Sequence, residues 1–290
     1  MEISDALPWK AEKLRELHRR DRPLVLVNAW DAAAARIVEK AGSEAIATTS
    51  AGIAFASGYP DGQRISRERM LESVAEICSA VSVPVTADME AGYGDTPEEM
   101  DRMVAGLLEA GAVGLNLEDG TGHPEAPLAD LALQVEKIRA VVDAGRKRGV
   151  PIVVNARTDV YLARVGPEAG RLAEAIRRGE AYRDAGADCV FIPAVTDPTV
   201  IGAIVKRLTC PVNVLAVAGS PAIAELARLG VARVSLGSGP MRAAMTQLLR
   251  LAEEVLAKGT YSTLEGILPH ASMNELVAGR PPGRADPPTS

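Results

Sequence analysis

The chain has 290 residues, of which 47% are hydrophobic and 24% charged, a composition typical of globular proteins and unlike that of disordered ones. Aromatic residues make up only 3% and the net charge is −6, which argues against a base-stacking surface or a polyanion-binding surface. A chain of this length suits a single α/β barrel, which commonly needs ~250 residues.

The cysteines and the first residues carry little information on partners or location, but they are consistent with one another. Cys78, Cys189 and Cys210 are widely spaced and form no C-x-x-C pair, so neither a disulfide framework nor a zinc ribbon is indicated. The first residues lack the apolar run of a signal peptide, and no stretch approaches the ~18 apolar residues of a membrane helix. We therefore expect a soluble, cytoplasmic protein with no membrane or nucleic-acid partner.

Short apolar runs alternate with amphipathic segments along the chain. The runs are apolar almost throughout, which is typical of strands covered by helices on both faces. Eight strands are predicted at 24–28, 44–49, 83–87, 113–117, 151–155, 188–192, 211–216 and 231–236. Helices are predicted between them at 31–41, 66–80, 97–110, 128–148, 168–185, 197–207, 220–228 and 240–257. Residues that favour N-caps precede five of these helices: Asp31, Ser66, Thr96, Asp197 and Ser220.

Eight β/α units of this kind predict an α/β protein with a (β/α)8 TIM-type barrel, and a doubly wound sheet is the alternative. Glycines that favour a left-handed helix end stand just before several strands, at Gly42, Gly111, Gly186 and Gly230. We expect the barrel to occupy residues 1–260, with an extra N-terminal helix at 8–20. Residues 261–279 predict a C-terminal helical extension, and the Pro-rich residues 280–290 predict a disordered tail.

Acidic side chains collect at the carboxyl ends of the predicted strands, where barrel enzymes place their active sites. Asp88 and Glu90 follow the third strand, Glu118 follows the fourth and Arg157 follows the fifth. Crowded carboxylates repel one another unless a cation neutralises them, and without a His or Cys cluster nearby the fitting ion is Mg²⁺ or Mn²⁺. We therefore predict a metal role for the three carboxylates. The planar guanidinium of Arg157 suits a substrate carboxylate or phosphonate, or else an ion pair with Asp159 or Glu118.

The ordered motifs at these strand ends resemble those of the isocitrate lyase/phosphoenolpyruvate mutase superfamily over about residues 20–278. They are TTSAG at 48–52, GYPDG at 58–62, ADMEAGYG at 87–94, LNLEDG at 115–120, VNARTD at 154–159 and PVNVL at 211–215. The resemblance implies a Mg²⁺-dependent enzyme that acts on a small 2-oxo or 2-hydroxy acid through an enolate-like intermediate. It favours a carbon–carbon lyase or a decarboxylase.

The resemblance also implies a role for each matching residue. Asp88 would be the direct metal ligand, and Glu90 and Glu118 would hold water ligands of the metal. Asp61 would lie beside them as a catalytic residue, and Arg157 would stabilise the enolate oxygen or a carboxylate. The substrate-binding residues implied by the same comparison are Thr49, Ser50, Ala51, Arg157, Asn213 and Arg242.

Three departures from the family pattern bear on the substrate. Glu90 stands where the motif usually has aspartate. The loop at 120–128 reads GTGHPEAPL and lacks the K-K/R-C-G-H motif whose cysteine is the acid–base of the lyases, and Phe191 begins the segment where the lyases carry a glutamate. We therefore expect no cleavage of isocitrate or methylisocitrate, and His123 is the candidate catalytic acid–base of this loop.

Two alternatives remain open at this stage. One is P–C bond chemistry of the phosphonomutase or phosphonopyruvate hydrolase type, although the lysine- and asparagine-containing gating loop of those enzymes is missing. The other is an α-keto acid binding protein with little turnover. The resemblance further implies a homodimer or homotetramer in which the C-terminal helix, within residues 261–278, is swapped between barrels.

Overall fold

The computed structural model describes residues 6–278 of the chain. The predicted tail at 280–290 lies outside these residues. The strands are β1 (Leu24–Leu26), β2 (Ile46–Ala47), β3 (Val85–Asp88), β4 (Gly114–Glu118), β5 (Val153–Arg157), β6 (Cys189–Phe191), β7 (Val212–Leu215) and β8 (Arg233–Ser235). The helices are α1 (Ala6–Leu17), α2 (Ala32–Lys40), α3 (Ser50–Ala56), α4 (Arg67–Ala80), α5 (Pro97–Ala110), α6 (Leu131–Lys147), α7 (Glu168–Asp184), α8 (Pro198–Leu208), α9 (Ile223–Arg228), α10 (Gly239–Lys258) and α11 (His270–Ala278), with a 3-10 turn at Ser262–Leu264.

The strands form one parallel sheet that curls into a barrel. Each strand pairs with the next in the chain from β2 to β8, and β8 pairs with β1. A parallel bridge between Ala29 and Thr48 links the ends of β1 and β2. The predicted (β/α)8 barrel is therefore confirmed, and the doubly wound alternative is wrong because the strand order follows the chain around a closed ring.

The helix starts follow from local side-chain chemistry. Asp31, Ser66, Thr96 and Asp197 each accept a backbone N–H of the first turn, as predicted, and Thr96 completes a capping box with Glu99. The remaining N-cap prediction was wrong. Helix α9 begins three residues later than Ser220, and the Ser220 hydroxyl instead accepts the backbone N–H of Val217 within a turn.

Helix α1 closes the amino end of the barrel. Arg15 on this helix donates from Nε to Asp188 Oδ1 at 2.7 Å and from Nη2 to the carbonyl of Pro151 at 2.7 Å, and both acceptors lie just before strands. Leu14 and Leu17 are buried in the same interface. Because parallel strands share a direction, the opposite end of the barrel is left for the site. No helix within residues 6–278 is long and apolar enough to cross a lipid bilayer.

Candidate active site

Asp88 is the last residue of β3, and its carboxylate is fixed by three donors. Ser50 donates to Oδ2 from its backbone N at 3.0 Å and from its hydroxyl at 2.7 Å. Asn116 donates from Nδ2 to Oδ1 at 3.1 Å, and the Asp88 backbone N donates to Thr48 Oγ1 at 2.9 Å. With only 8% of the residue exposed, Asp88 presents a buried carboxylate in a single orientation.

A left-handed turn after β3 directs Glu90 back into the site. Glu90 has φ of 50°, Gly92 has φ of 91° and Tyr93 has φ of 58°. A side chain at Gly92 would also collide with the protein, because a Cβ there would lie 2.9 Å from Leu117 Cδ1. A non-glycine residue with positive φ carries a conformational cost that persists where the surrounding structure holds it, often at functional sites.

The extra methylene of Glu90 lets its carboxylate reach the loop after α3. The backbone N of Gln63 donates to Oε2, and the Tyr93 hydroxyl donates to Oε1 at 3.3 Å. Burial and then the negative charge of Asp88 raise the pKa of Glu90 to about 7. The negative charge of Asp88 therefore disfavours ionisation of Glu90, and a cation close to both carboxylates would offset this repulsion.

Arg157 at the end of β5 lies between two carboxylates. Its Nε and Nη2 donate to the two oxygens of Asp159 at 2.6 and 2.8 Å, and Nη1 lies 2.6 Å from Glu118 Oε2. The guanidinium carbon lies 5.9 Å from the centre of the Phe191 ring. Burial alone would lower the pKa of Arg157, but the charges of Glu118 and Asp159 raise it. Burial also raises the pKa of Glu118 well above its ordinary value, against the opposing effect of Arg157.

Asp61 lies on the loop after α3 and faces the same carboxylates. The residue is exposed overall, and its Oδ1 accepts the backbone N–H of Gly62 at 2.9 Å. Partial burial of the carboxylate raises the pKa of Asp61, and the negative charges of Asp88 and Asp159 raise it further. The structure thus brings the predicted residues Asp61, Asp88, Glu90, Glu118 and Arg157 to one mouth of the barrel.

Other predicted residues lie differently. Thr49 caps α3, and Ala51 lies in the first turn of that helix beside Ser50. Asn213 is buried inside the barrel, where it bonds to Ser235. His123 and Arg242 are both exposed, on the loop after β4 and on α10, and within residues 6–278 neither side chain has a hydrogen bond or ion pair to the acidic group.

Asp119 supports the site from behind, and the sequence analysis gave it no role. Its Oδ1 accepts the backbone N–H of Asp159 at 2.9 Å. Its Oδ2 accepts the Tyr182 hydroxyl at 2.6 Å and Arg178 Nη1 at 3.0 Å. Asp119 therefore places the very residue that holds Arg157. Its position in the LNLEDG motif marked Asp119 as a residue near the site. Its supporting role could not be predicted, because its partners on α7 are far away in sequence.

The donor set fits a hard divalent cation held largely through water. Among residues 6–278, no three His, Cys, Asp or Glu side chains are close enough to one another to ligate a metal by themselves. Mg²⁺ does not need such a cage, since it usually keeps several waters and uses one or two carboxylates. Asp88 is oriented for one direct contact, and the buried Glu118 carboxylate is paired on one side with Arg157 Nη1 at 2.6 Å. Glu90 adds a third negative charge within the same mouth.

Comparisons with known proteins agree on one family. A family model described as phosphoenolpyruvate phosphomutase matches residues 14–256. An uncharacterised Mycobacterium tuberculosis protein is 38% identical, covering 79% of this chain and 83% of the relative. The 2-methylisocitrate lyase of Escherichia coli is 33% identical over 66% of this chain and 63% of its own length. The phosphoenolpyruvate phosphomutase of Streptomyces hygroscopicus is 30% identical over 89% of this chain and 84% of its own.

Solved structures show the same similarity. A Burkholderia cenocepacia protein provisionally assigned as a lyase or mutase is 40% identical, with a TM-score of 0.88 over 94% of this chain and 96% of its own. An oxaloacetate acetylhydrolase bound to its product oxalate is 26% identical, with a TM-score of 0.82 over 93% and 94% of the two chains. A phosphonopyruvate hydrolase bound to oxalate and Mg²⁺ is 28% identical, with a TM-score of 0.80 over 92% and 94%.

Proposed function

Because this chain belongs to the isocitrate lyase/phosphoenolpyruvate mutase superfamily, we propose that it is a Mg²⁺-dependent enzyme that acts on a small 2-oxo or 2-hydroxy acid. The favoured reaction is cleavage of a carbon–carbon bond in the acid, or its decarboxylation, through an enolate-like intermediate. The observation that carries the proposal is the mouth of the barrel, where Asp88 is fixed by three donors and Glu90 and Glu118 crowd beside it.

Each residue at this mouth of the barrel has a separate proposed role. Asp88 would hold the cation directly, and Glu90 and Glu118 would hold it through water, with Mn²⁺ as a substitute for Mg²⁺. When bound, the cation would supply positive charge to the carboxylate and 2-oxo group of the substrate. Arg157, steadied by Asp159 and Phe191, would place a fixed cation near the charge that develops during reaction. Asp61 would lie beside them as a further catalytic group.

The substrate class rests on the relatives. The relatives include a 2-methylisocitrate lyase, an oxaloacetate acetylhydrolase and a phosphonopyruvate hydrolase, and oxalate is bound in solved structures of the last two. Oxalate carries two adjacent oxygen-bearing carbons, like the carboxylate and oxo group of a 2-oxo acid. Thr49, Ser50 and Ala51 would contribute to binding that end, and Asn213 and Arg242 remain weaker candidates for the other.

P–C bond chemistry, of the phosphonomutase or phosphonopyruvate hydrolase type, is the second candidate. The family model is that of a phosphomutase, and the Streptomyces hygroscopicus phosphomutase aligns with 89% of this chain, more than the 66% aligned with the Escherichia coli lyase. A guanidinium such as Arg157 accommodates a phosphonate as readily as a carboxylate, so the site suits this candidate as well.

Turnover of a substrate panel tests the proposal. The protein would be incubated with oxaloacetate, other 2-oxo and 2-hydroxy diacids, and phosphonopyruvate, each with Mg²⁺ and with EDTA. Proton and phosphorus NMR would identify products, with protein-free Mg²⁺ samples correcting for spontaneous decarboxylation. We expect Mg²⁺-dependent carbon–carbon products. Release or migration of phosphorus would favour the second candidate, and oxalate binding without any turnover would indicate an α-keto acid binding protein.

A further inference from the structure

A row of two buried amides runs from Asp88 across the next two strands of the barrel. Asn116 on β4 is aligned with Asp88 on β3 and with Asn155 on β5. Asn155 donates from Nδ2 to Asn116 Oδ1 at 2.7 Å, and Arg233 on β8 donates from Nη2 to the same oxygen at 3.4 Å. The amide of Asn116 then donates to Asp88 Oδ1.

This arrangement decides which way the Asn116 amide faces. An asparagine side chain has one acceptor oxygen and one donor nitrogen. Two donors converge on the oxygen of Asn116, so its nitrogen is the end that is left for Asp88. Were the amide reversed, its oxygen would face the Asp88 carboxylate and its nitrogen would face the Arg233 guanidinium, which can only donate. The neighbours therefore hold Asn116 in the orientation that donates to Asp88.

Arg233, the second donor to Asn116, is an unusual residue for the interior of the barrel. It is only 1% exposed, and within residues 6–278 no carboxylate lies within ion-pair distance of it. Its remaining side-chain bond is from Nε to the Ser235 hydroxyl at 3.2 Å, and its Nη1 is unpaired. Burying an unpaired guanidinium costs stability. Burial lowers the pKa of Arg233 to about 10, and the negative charge of Asp88 opposes this effect, so the residue interacts electrostatically with the carboxylate that Asn116 contacts.

We propose that Asn116 is a positioning residue for the cation site, held in its orientation by Asn155 and Arg233. It sets the direction of the Asp88 carboxylate without touching the substrate. The inference rests on the proposed function, in which Asp88 binds a divalent cation. It extends that function to the interior of the barrel and to residues on three further strands.

Mn²⁺ binding, measured by electron paramagnetic resonance on the full-length protein, tests the inference without any need for a known substrate. Asn116→Leu keeps the branched shape of the side chain, although leucine is larger, and removes the donor to Asp88. We expect its Kd for Mn²⁺ to rise by about 10- to 100-fold, the usual effect of losing a group that orients a metal ligand. Asn116→Ser, which is smaller and cannot reach Asp88, gives the same test if the leucine variant does not fold.

Gln134→Met is the matched control. Gln134 is also a buried amide, and its Nε2 donates to the carbonyl of Leu117, the residue next to Asn116 on the same strand. This variant should lose stability comparably and keep the wild-type Kd. Arg233→Lys should weaken Mn²⁺ binding in the wild type and have no further effect in Asn116→Leu, because it acts through Asn116.

The outcomes separate the two claims. A wild-type Kd in folded Asn116→Leu and Asn116→Ser would overturn the inference and leave the proposed function standing. Equal weakening by Gln134→Met would also overturn it, since a general loss of stability would then explain the effect. An additive loss in the double variant would remove Arg233 from the account. Absence of Mn²⁺ binding by the wild type would contradict the proposed function itself.

Discussion

Arg157 carries the sharpest chemical prediction at the scale of single residues. Its guanidinium is planar and can donate hydrogen bonds along two edges. One edge donates to Asp159, another nitrogen lies beside Glu118, and the plane lies near the Phe191 ring. A lysine ammonium keeps the charge but cannot contact all three groups. The position therefore distinguishes a requirement for charge from a requirement for geometry.

We expect Arg157→Lys to fold normally and to lose about 10²-fold in kcat on the substrate found by the panel, the magnitude typical of losing one fixed donor to a developing negative charge. KM should change less, because the contact strengthens as the reaction proceeds. Steady-state kinetics and thermal unfolding measure the two effects. Arg177→Lys, which alters an exposed arginine paired with Glu174, should change neither.

Full activity of Arg157→Lys would make Arg157 an ion-pair partner of its neighbours with no catalytic part. A collapse in Tm without a separate kinetic effect would point to the same conclusion. Both ion pairs are present in the structure, so this alternative has a physical basis.

His18 gives a prediction about pH. It is buried at the end of α1, where its Nδ1 bonds to the carbonyl of Leu14 at 2.8 Å. Burial and then the charge of Arg233 lower the pKa of His18 from 6.5 to about 3. Below pH 6.5 His18 is protonated in the unfolded chain, whereas in the folded protein it stays neutral until about pH 3. The free energy of unfolding therefore falls as the pH is lowered from 6.5 towards 3.

Replacing His18 by Asn should flatten that dependence, because Asn can donate to the Leu14 carbonyl and does not titrate. Between pH 6.5 and 4.5 we expect the variant to lose less stability than the wild type, by up to roughly 1.4 kcal/mol per pH unit. Urea unfolding at several pH values measures the difference. His123→Asn, at an exposed histidine, is the control and should follow the wild type. Parallel curves for His18→Asn and the wild type would contradict the assignment.

At the scale of elements, the loop after β4 is a small hairpin. Gly120 and Leu128 form an antiparallel bridge, and Thr121 donates its backbone N–H to the Pro127 carbonyl at 3.1 Å. Arg178 on α7 fastens its base by donating to the Ala129 carbonyl at 3.1 Å. His123 lies exposed near the tip, and we expect the hairpin to close over the mouth if this histidine acts on a substrate.

This hairpin predicts which substrates are rejected. It offers neither cysteine nor lysine, and loss of a positioned acid–base typically lowers a rate by ~10²–10⁴-fold. We expect no useful cleavage of isocitrate or 2-methylisocitrate, measured as succinate release with Mg²⁺. Robust release from either would show that another group supplies the proton. If His123→Ala then abolished it, the histidine would be that group.

Local sequence chemistry was sufficient to predict most elements. Each of the eight strands and the four confirmed N-caps is determined by neighbouring residues. Helix α3 was missed, because Ser50–Ala56 is short and apolar and follows β2 directly, so it lacks the amphipathic period that identifies longer helices. Ser220 failed as a cap because its hydroxyl closes a turn instead.

Across the whole molecule, the barrel topology made the acidic site predictable. Asp88, Glu118 and Arg157 end neighbouring strands, so a correct strand prediction places them together. The supports of the site were not predictable in this way. Gln63 reaches Glu90 from a loop, and Arg233 reaches Asn116 from the opposite side of the barrel. Such contacts depend on side-chain direction within the folded ring, and no local pattern encodes that.

The outer surface of α10 bears on assembly. Of its 20 residues only Met241 and Glu254 are buried, while Leu248, Leu249 and Leu256 are 56%, 58% and 87% exposed. A helix with this much exposed leucine favours a partner surface. We propose that a second copy of the chain covers it, in a homodimer or homotetramer with swapped C-terminal helices.

Light scattering after size exclusion measures this assembly. We expect the wild type to be a dimer or tetramer, and Leu248→Glu with Leu249→Glu to shift it toward monomer. Trp9→Glu, at a similarly exposed apolar residue on α1, is the control and should leave the mass unchanged. A monomeric wild type would contradict the proposal.

Calorimetric titration of oxalate into the wild type and Asp88→Ala, each with Mg²⁺ and with EDTA, tests the central claim that Asp88 anchors a cation for an oxo-acid. We predict saturable binding by the wild type with Mg²⁺ only, and none by Asp88→Ala, because water cannot replace the charge of the direct ligand. Unchanged oxalate affinity in Asp88→Ala, or equal affinity with EDTA, would contradict the account.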